Sequence, residues 1–152
     1  MKVGYLLIGN PPFYPTGYGT QLKFIGDLLI DSGKTVGHIA DFGFAACRLD
    51  WEGRTLYPCD QLPGTLSKET ISRHLKHFRM ENGLDEVVII TLGDAYKWGG
   101  LIKHPYWLSL PPVDHSPLSP GVLRGIQGAR WYGALCDFGR NTLEQAGIDP
   151  DS

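Results

Sequence analysis

Residues Val3 to Ile8 form an apolar run that stops at Gly9-Asn10-Pro11-Pro12. A strand without polar alternation has both faces covered, as in a parallel sheet with helices on either side. The run leads into Pro15-Thr16-Gly17-Tyr18-Gly19-Thr20-Gln21, after which Leu22, Ile25, Leu28 and Leu29 recur at helical spacing until Gly33. Glycine just past the last periodic residue is a helix stop. Strand, glycine-containing loop and helix in that order restrict the chain to α/β architectures.

The rest of the chain repeats the alternation. Thr35 to Ala40 reads as a second strand, ending at Asp41-Phe42-Gly43. Arg54 to Tyr57 reads as a short strand and Pro58 to Gly64 as a turn-rich connection. Ser67 is placed to cap a helix, with Leu66 and Ile71 at hydrophobic-staple spacing, a buried stripe of Ile71, Leu75 and Phe78, and Gly83 at the end. Glu86 to Leu92 is the next buried strand. Asp94 to Leu101 suggests a short helix at the sheet rim, and Tyr106 to Leu110 a strand. Val122 to Gln127 suggests a short helix and Arg130 to Leu135 a further strand. Asp137 is placed to cap a last helix through Leu143 and Ala146, with Gly147 at its end. The economical architecture is a Rossmann-like, doubly wound parallel sheet in one domain spanning residues 1–152.

Composition narrows the partners. A hydrophobic fraction of 42% with 20% charged residues is that of an ordinary folded globule. The net charge of −2, with no basic run, gives no electrostatic reason to expect nucleic acid or a membrane surface. The apolar runs are strand-sized, well short of a transmembrane segment. Met1-Lys2 entering the first strand directly leaves no room for a signal peptide. Three cysteines without short paired spacing fit reduced thiols, so a cytoplasmic location is expected.

Three motifs fail on inspection. Gly33-Lys34-Thr35 resembles the end of a phosphate-binding P-loop, but position 28 is Leu28 and the tripeptide follows a helix instead of preceding one. His74 and His77 could share a metal, but lack a carboxylate or cysteine at usable spacing, so a solvated helix face is favoured and no metal site is expected. Gly17-x-Gly19 with Asp41 at the end of the second strand suggests a dinucleotide site. Leu22 stands where the third small residue belongs, and the loop is too long for that fingerprint.

Four features belong at the carboxyl edge of such a sheet. The glycine loop ends at a helix N-terminus, where backbone N–H groups and the helix dipole receive a phosphate or sugar oxygen. The glycines equally suit a simple turn. Asp94 follows a buried strand, where it can accept from ligand hydroxyls or cap the next helix. Trp107 opens the segment leading to Pro112-Val113-Asp114-His115, in which Asp114 or His115 could handle a proton. Adjacency directs His115 elsewhere, which favours Asp114. Asp137, at the last helix, is most simply a cap.

Taken in order, these segments resemble the N-terminal, acceptor-side domain of a GT-B glycosyltransferase of the retaining family-4 kind. The resemblance rests on Pro15 to Gln21 before a helix, Gly33 to His38, the Trp-containing strand, Pro112-Val113-Asp114 with Pro117, and Phe138 to Gly147. It covers nearly the whole chain. It implies transfer of a sugar from a nucleotide-sugar donor to an acceptor hydroxyl, with no separate cofactor and no metal. Gly17, Tyr18, Gly19 and Thr20 would face the donor, with Asp94 and Trp107 lining the substrate side. Asp114 would take the place of a cleft residue, often His in related enzymes, that faces the transferred sugar.

The second, nucleotide-binding lobe of that family, with its Arg/Lys pair, has no counterpart here. A leaving nucleotide diphosphate needs positive charge or preorganised donors. The chain is therefore expected to be a truncated form, a gene fragment or half of a split enzyme, inactive or weak alone. A C-terminal lobe partner or self-association is the expected consequence of an uncovered rim. The competing expectations are a non-catalytic binding or interaction module that kept the fold, and a small nucleotide-binding domain of oxidoreductase type.

Overall fold

A computed structural model describes residues 1–45, 47–60 and 65–149. The chain runs β1 (Val3–Gly9), α1 (Gly17–Asp31), β2 (Thr35–Ala40), β3 (Leu49–Trp51), β4 (Arg54–Tyr57), α2 (Lys68–Glu81) and β5 (Glu86–Leu92). A 3-10 turn at Ala95–Lys97 precedes β6 (Trp107–Leu110), α3 (Pro120–Ile126), β7 (Trp131–Tyr132) and α4 (Asp137–Gln145). The sheet has seven strands in the order β3-β4-β2-β1-β5-β6-β7. β1 with β2, β2 with β4, and β6 with β7 pair in parallel, while β3 pairs antiparallel with β4. This is a Rossmann-like α/β fold whose strand order reverses at β1.

The chain divides into two compact units, Met1–Ile89 and Ile90–Ser152. In the first, Leu6, Leu7, Ile8, Leu22, Ile39 and Phe78 are completely buried. Phe78 of α2 reaches the sheet because Gly4 and Gly37 leave room: a Cβ on either would lie 3.0 or 2.9 Å from its ring. α1 is capped by Thr16, whose side chain accepts from Gly19 N, and α2 by Ser67, whose side chain accepts from Thr70 N. In the second unit, Ala95, Leu118, Ile126 and Leu143 form a small core, with Val113, Val122, Tyr132 and Ile148 packed against it. Trp107 is buried too, its indole N–H donating to Thr91 Oγ1 at 3.0 Å.

Several expectations change. The antiparallel strand β3 is additional: Glu52 and Gly53 take positive φ of 44° and 77°, so the chain folds β3 back on β4 through a two-residue turn. Leu28 is exposed, because Leu22 and Gly26 provide the buried side of α1. His74 is buried rather than solvated, because the Tyr57 ring covers its imidazole at 4.9 Å. Cys136, not Asp137, is the N-cap of α4, and Asp137 is its first residue. The helix expected over Asp94 to Leu101 is only the 3-10 turn, and the strand expected over Arg130 to Leu135 narrows to β7. The connection read over Pro58 to Gly64 lies partly outside the described residues.

Candidate functional site

The loop between β1 and α1 is held by its own polar groups. Asn10, nearly buried, donates from Nδ2 to Thr16 Oγ1 at 2.8 Å, and the same oxygen accepts from Gly19 N at 3.0 Å. Tyr14 N donates to Pro11 O and Thr16 N to Tyr14 O, at 3.0 and 2.8 Å. Thr20 N donates to Thr16 O at 2.9 Å, closing the first helical turn.

The two glycines of the expected site differ in their surroundings. A Cβ on Gly19 would lie 2.7 Å from Tyr14 O and 2.8 Å from Pro11 O, so glycine here lets the helix approach the loop backbone. Around Gly17 the corresponding space is open. No acidic residue occupies the first turn of α1, and Gly9 to Gln21 contains no charged residue at all. The positive end of the helix dipole therefore has no carboxylate of its own turn beside it. Tyr18 and Thr20 lie in this first turn.

Aromatic side chains brace the loop. Phe13 packs edge-on against Phe44 and Trp51 at 6.0 and 6.2 Å, and Tyr14 against Phe42 at 5.1 Å. Phe13 and Tyr14 remain 42% and 39% exposed, enough ring surface to meet a sugar or base. This aromatic group matches no sequence motif. Its signal was the aromatic density of Phe13-Tyr14 and Phe42-x-Phe44 on two segments that both follow parallel strands.

Beneath the loop, His38 of β2 is fully buried, with Nε2 3.4 Å from Gly9 O. Burial pushes its imidazole down to about 4, so it is neutral near pH 7. Asp41 is also buried, and its N–H donates to Gly9 O at 2.9 Å.

The remaining expected site residues belong to the second unit. Asp94 stands before the 3-10 turn without capping it; its Oδ2 accepts from Tyr96 O–H at 3.1 Å and faces Lys97 Nζ at 3.9 Å. Trp107 is 1% exposed, so its ring serves the packing of this unit. Asp114 is 90% exposed and meets His115 Nδ1 through Oδ1 at 2.6 Å. His115 therefore does not point elsewhere: in irregular backbone, neighbouring side chains can fold onto each other. The hydrogen bond from His115 holds the Asp114 carboxyl below its ordinary value. The structure thus joins Gly17, Tyr18, Gly19 and Thr20 in one helical turn, and Asp114 with His115 in one hydrogen bond.

Among the described residues, no helix is long and apolar enough to cross a membrane. Comparison with protein-family models, with curated proteins and with solved structures returned no match.

Proposed function

We propose that this chain is the N-terminal, acceptor-side lobe of a retaining GT-B glycosyltransferase, taking a nucleotide-sugar donor at the start of α1. The observation that carries the reading is the first turn of α1: it follows β1, where the strand order reverses, it holds no acid, and the space beside Gly17 is open. Ligands of open α/β sheets sit beyond the carboxyl ends of strands where the order reverses, and a helix N-terminus there receives phosphate oxygens.

In this role backbone amides of the first turn would orient the donor phosphate, and Phe13 and Tyr14 would offer ring faces to the sugar or base. The resemblance gives Asp114 the sugar-facing role, and a carboxylate hydrogen-bonded to an imidazole, as it is to His115, is chemically suited to stabilising positive charge at a transferring carbon. Departure of the nucleotide diphosphate demands cations that Gly9 to Gln21 does not supply, so turnover would depend on a source of positive charge outside this loop.

The test is calorimetric titration of the protein with a panel of uridine-, guanosine- and adenosine-diphosphate sugars, repeated on Gly17→Val. Saturable binding to the wild type, weakened in the variant at an unchanged melting temperature, is the expected result. No binding of any donor, or equal binding by both proteins, would overturn the reading.

A further inference from the structure

Helix α1 buries Leu22 and Gly26, and the residues opposite them on the helix face solvent. Gly17, Thr20, Phe24, Leu28 and Asp31 are all exposed, and they follow one another at spacings of three, four, four and three. Such spacing keeps five residues on one line along a helix. In its middle stand two large apolar side chains, Phe24 and Leu28, which are 64% and 54% exposed. Neighbouring apolar groups on an outward helix face gain free energy by leaving water together.

The charges of α1 run against its own dipole. Its first turn holds no acid, its last turn holds no base, and it ends on Asp31. The N-terminus therefore carries partial positive charge without an anion in its turn, while Asp31 lies at the partial negative end. Each end has what the other requires, but fifteen residues of helix hold them about 22 Å apart. Within one chain they cannot meet. A second α1 lying antiparallel brings them together twice.

We propose that two copies of this chain pair through this face, their α1 helices antiparallel about a two-fold axis at Phe24. Phe24 is the middle residue of α1, and the spacing of the line reads the same from either end. A two-fold contact requires that a surface receive what it presents. Here Phe24 meets the partner's Phe24, Thr20 the partner's Leu28, and Gly17 the partner's Asp31. The space beside Gly17 is open, so that carboxylate can approach the first turn. No like charges oppose: Lys23 comes level with the partner's Ile25, and Asp27 with the partner's Gln21. Lys23 and Asp27 are in any case paired within their own chain. A shallow crossing, as in helical bundles, keeps the ends as well as the centre within reach.

One helix face per copy is smaller than a standard interface, which makes the dimer weak, with a dissociation constant of about 10–100 µM. The contact stands independently of the donor reading. The two share the start of α1, where a bound phosphate and the partner's Asp31 exclude each other.

The test is sedimentation velocity of the full chain over about 5–500 µM. The wild type should show a reversible monomer–dimer equilibrium. Phe24→Lys removes the central contact and sets two cations on the axis, so it should stay monomeric throughout. Asp31→Lys suits the dipole of its own helix better, so its melting temperature should hold or rise while its dimer weakens about tenfold. A role for Asp31 confined to its own fold would leave the dimer unmoved. Register is read by mild oxidation of Thr20→Cys mixed with Leu28→Cys. The mixture should cross-link more than either alone, and more than the wild type, whose exposed Cys47 and Cys136 set the background. The proposal falls if the wild type is monomeric across the range, as a face that serves a different protein would leave it. It falls too if either lysine variant associates like the wild type, or if the mixed cysteines cross-link no better than each alone.

Discussion

The Arg54 guanidinium occupies the space that a Cβ on Gly26 would fill. Arg54, 2% exposed at the start of β4, reaches α1 at that point, pairs with Asp27 and lies 5.3 Å from the Trp51 ring centre. Alanine is ordinarily preferred to glycine inside a helix by about 1 kcal/mol. Here Gly26→Ala must push a buried cation off its carboxylate, which costs about 3 kcal/mol or more when a buried charge loses its partner. Net destabilisation of about 2 kcal/mol is expected from urea unfolding. A variant as stable as wild type would show that Arg54 has another resting place.

The burial of His38 predicts a pH dependence. Its folded-state value of about 4 lies below the ordinary 6.5, so the unfolded chain takes up the proton first as pH falls. Stability from this group is full above pH 6.5, is lost between 6.5 and about 4, and changes little below that. The loss over the window is about 3 kcal/mol. His74, also depressed by burial, adds to the trend in the same direction. Denaturant unfolding of wild type and His38→Leu across this range should show a much shallower slope in the variant.

Gly19 and Gly17 should respond differently to alanine. At Gly19 the new methyl meets two backbone oxygens of the loop, which cannot swing aside as a side-chain tip can. A loss of about 2 kcal/mol is expected for Gly19→Ala, with release of the Asn10–Thr16–Gly19 hydrogen bonds. Gly17→Ala should stay within about 0.5 kcal/mol of wild type. Thermal melts, with amide exchange at residue 19, would separate the two.

Thr91 accepts from the Trp107 indole in a fully buried pair. Thr91→Val preserves shape and strand preference but leaves the indole N–H without that acceptor. A cost of about 1–2 kcal/mol is expected. A red-edge change in tryptophan fluorescence, absent from a surface control such as Thr55→Val, would report the local loss.

The sequence revealed those elements whose determinants are local. β2, β4 and β5 have the bounds expected from the sequence, and Ser67 caps α2 through its own hydroxyl. β3 escaped because its turn is Glu52-Gly53, not the Asn-Gly or Asp-Gly pair that announces a two-residue hairpin. His74 looked solvated because the ring and carbonyl that bury it, from Tyr57 and Pro58, lie more than a dozen residues away in sequence. Around the candidate site, glycine spacing located the turn but could not distinguish crowded Gly19 from open Gly17. That difference depends on the carbonyls of Pro11 and Tyr14, which only the folded loop brings into place.

The short strand β3 also bears on how this protein meets its own copies. A parallel sheet ending in a bare strand would show a row of open amides and carbonyls to any extended peptide. Here the outermost backbone is only Leu49–Trp51, turned back on β4, with Asp50 accepting from Thr55 Oγ1 at 3.2 Å. Brevity and a carboxylate make that margin a poor template for another strand. On this side the chain carries its own terminator against end-to-end ribbon growth.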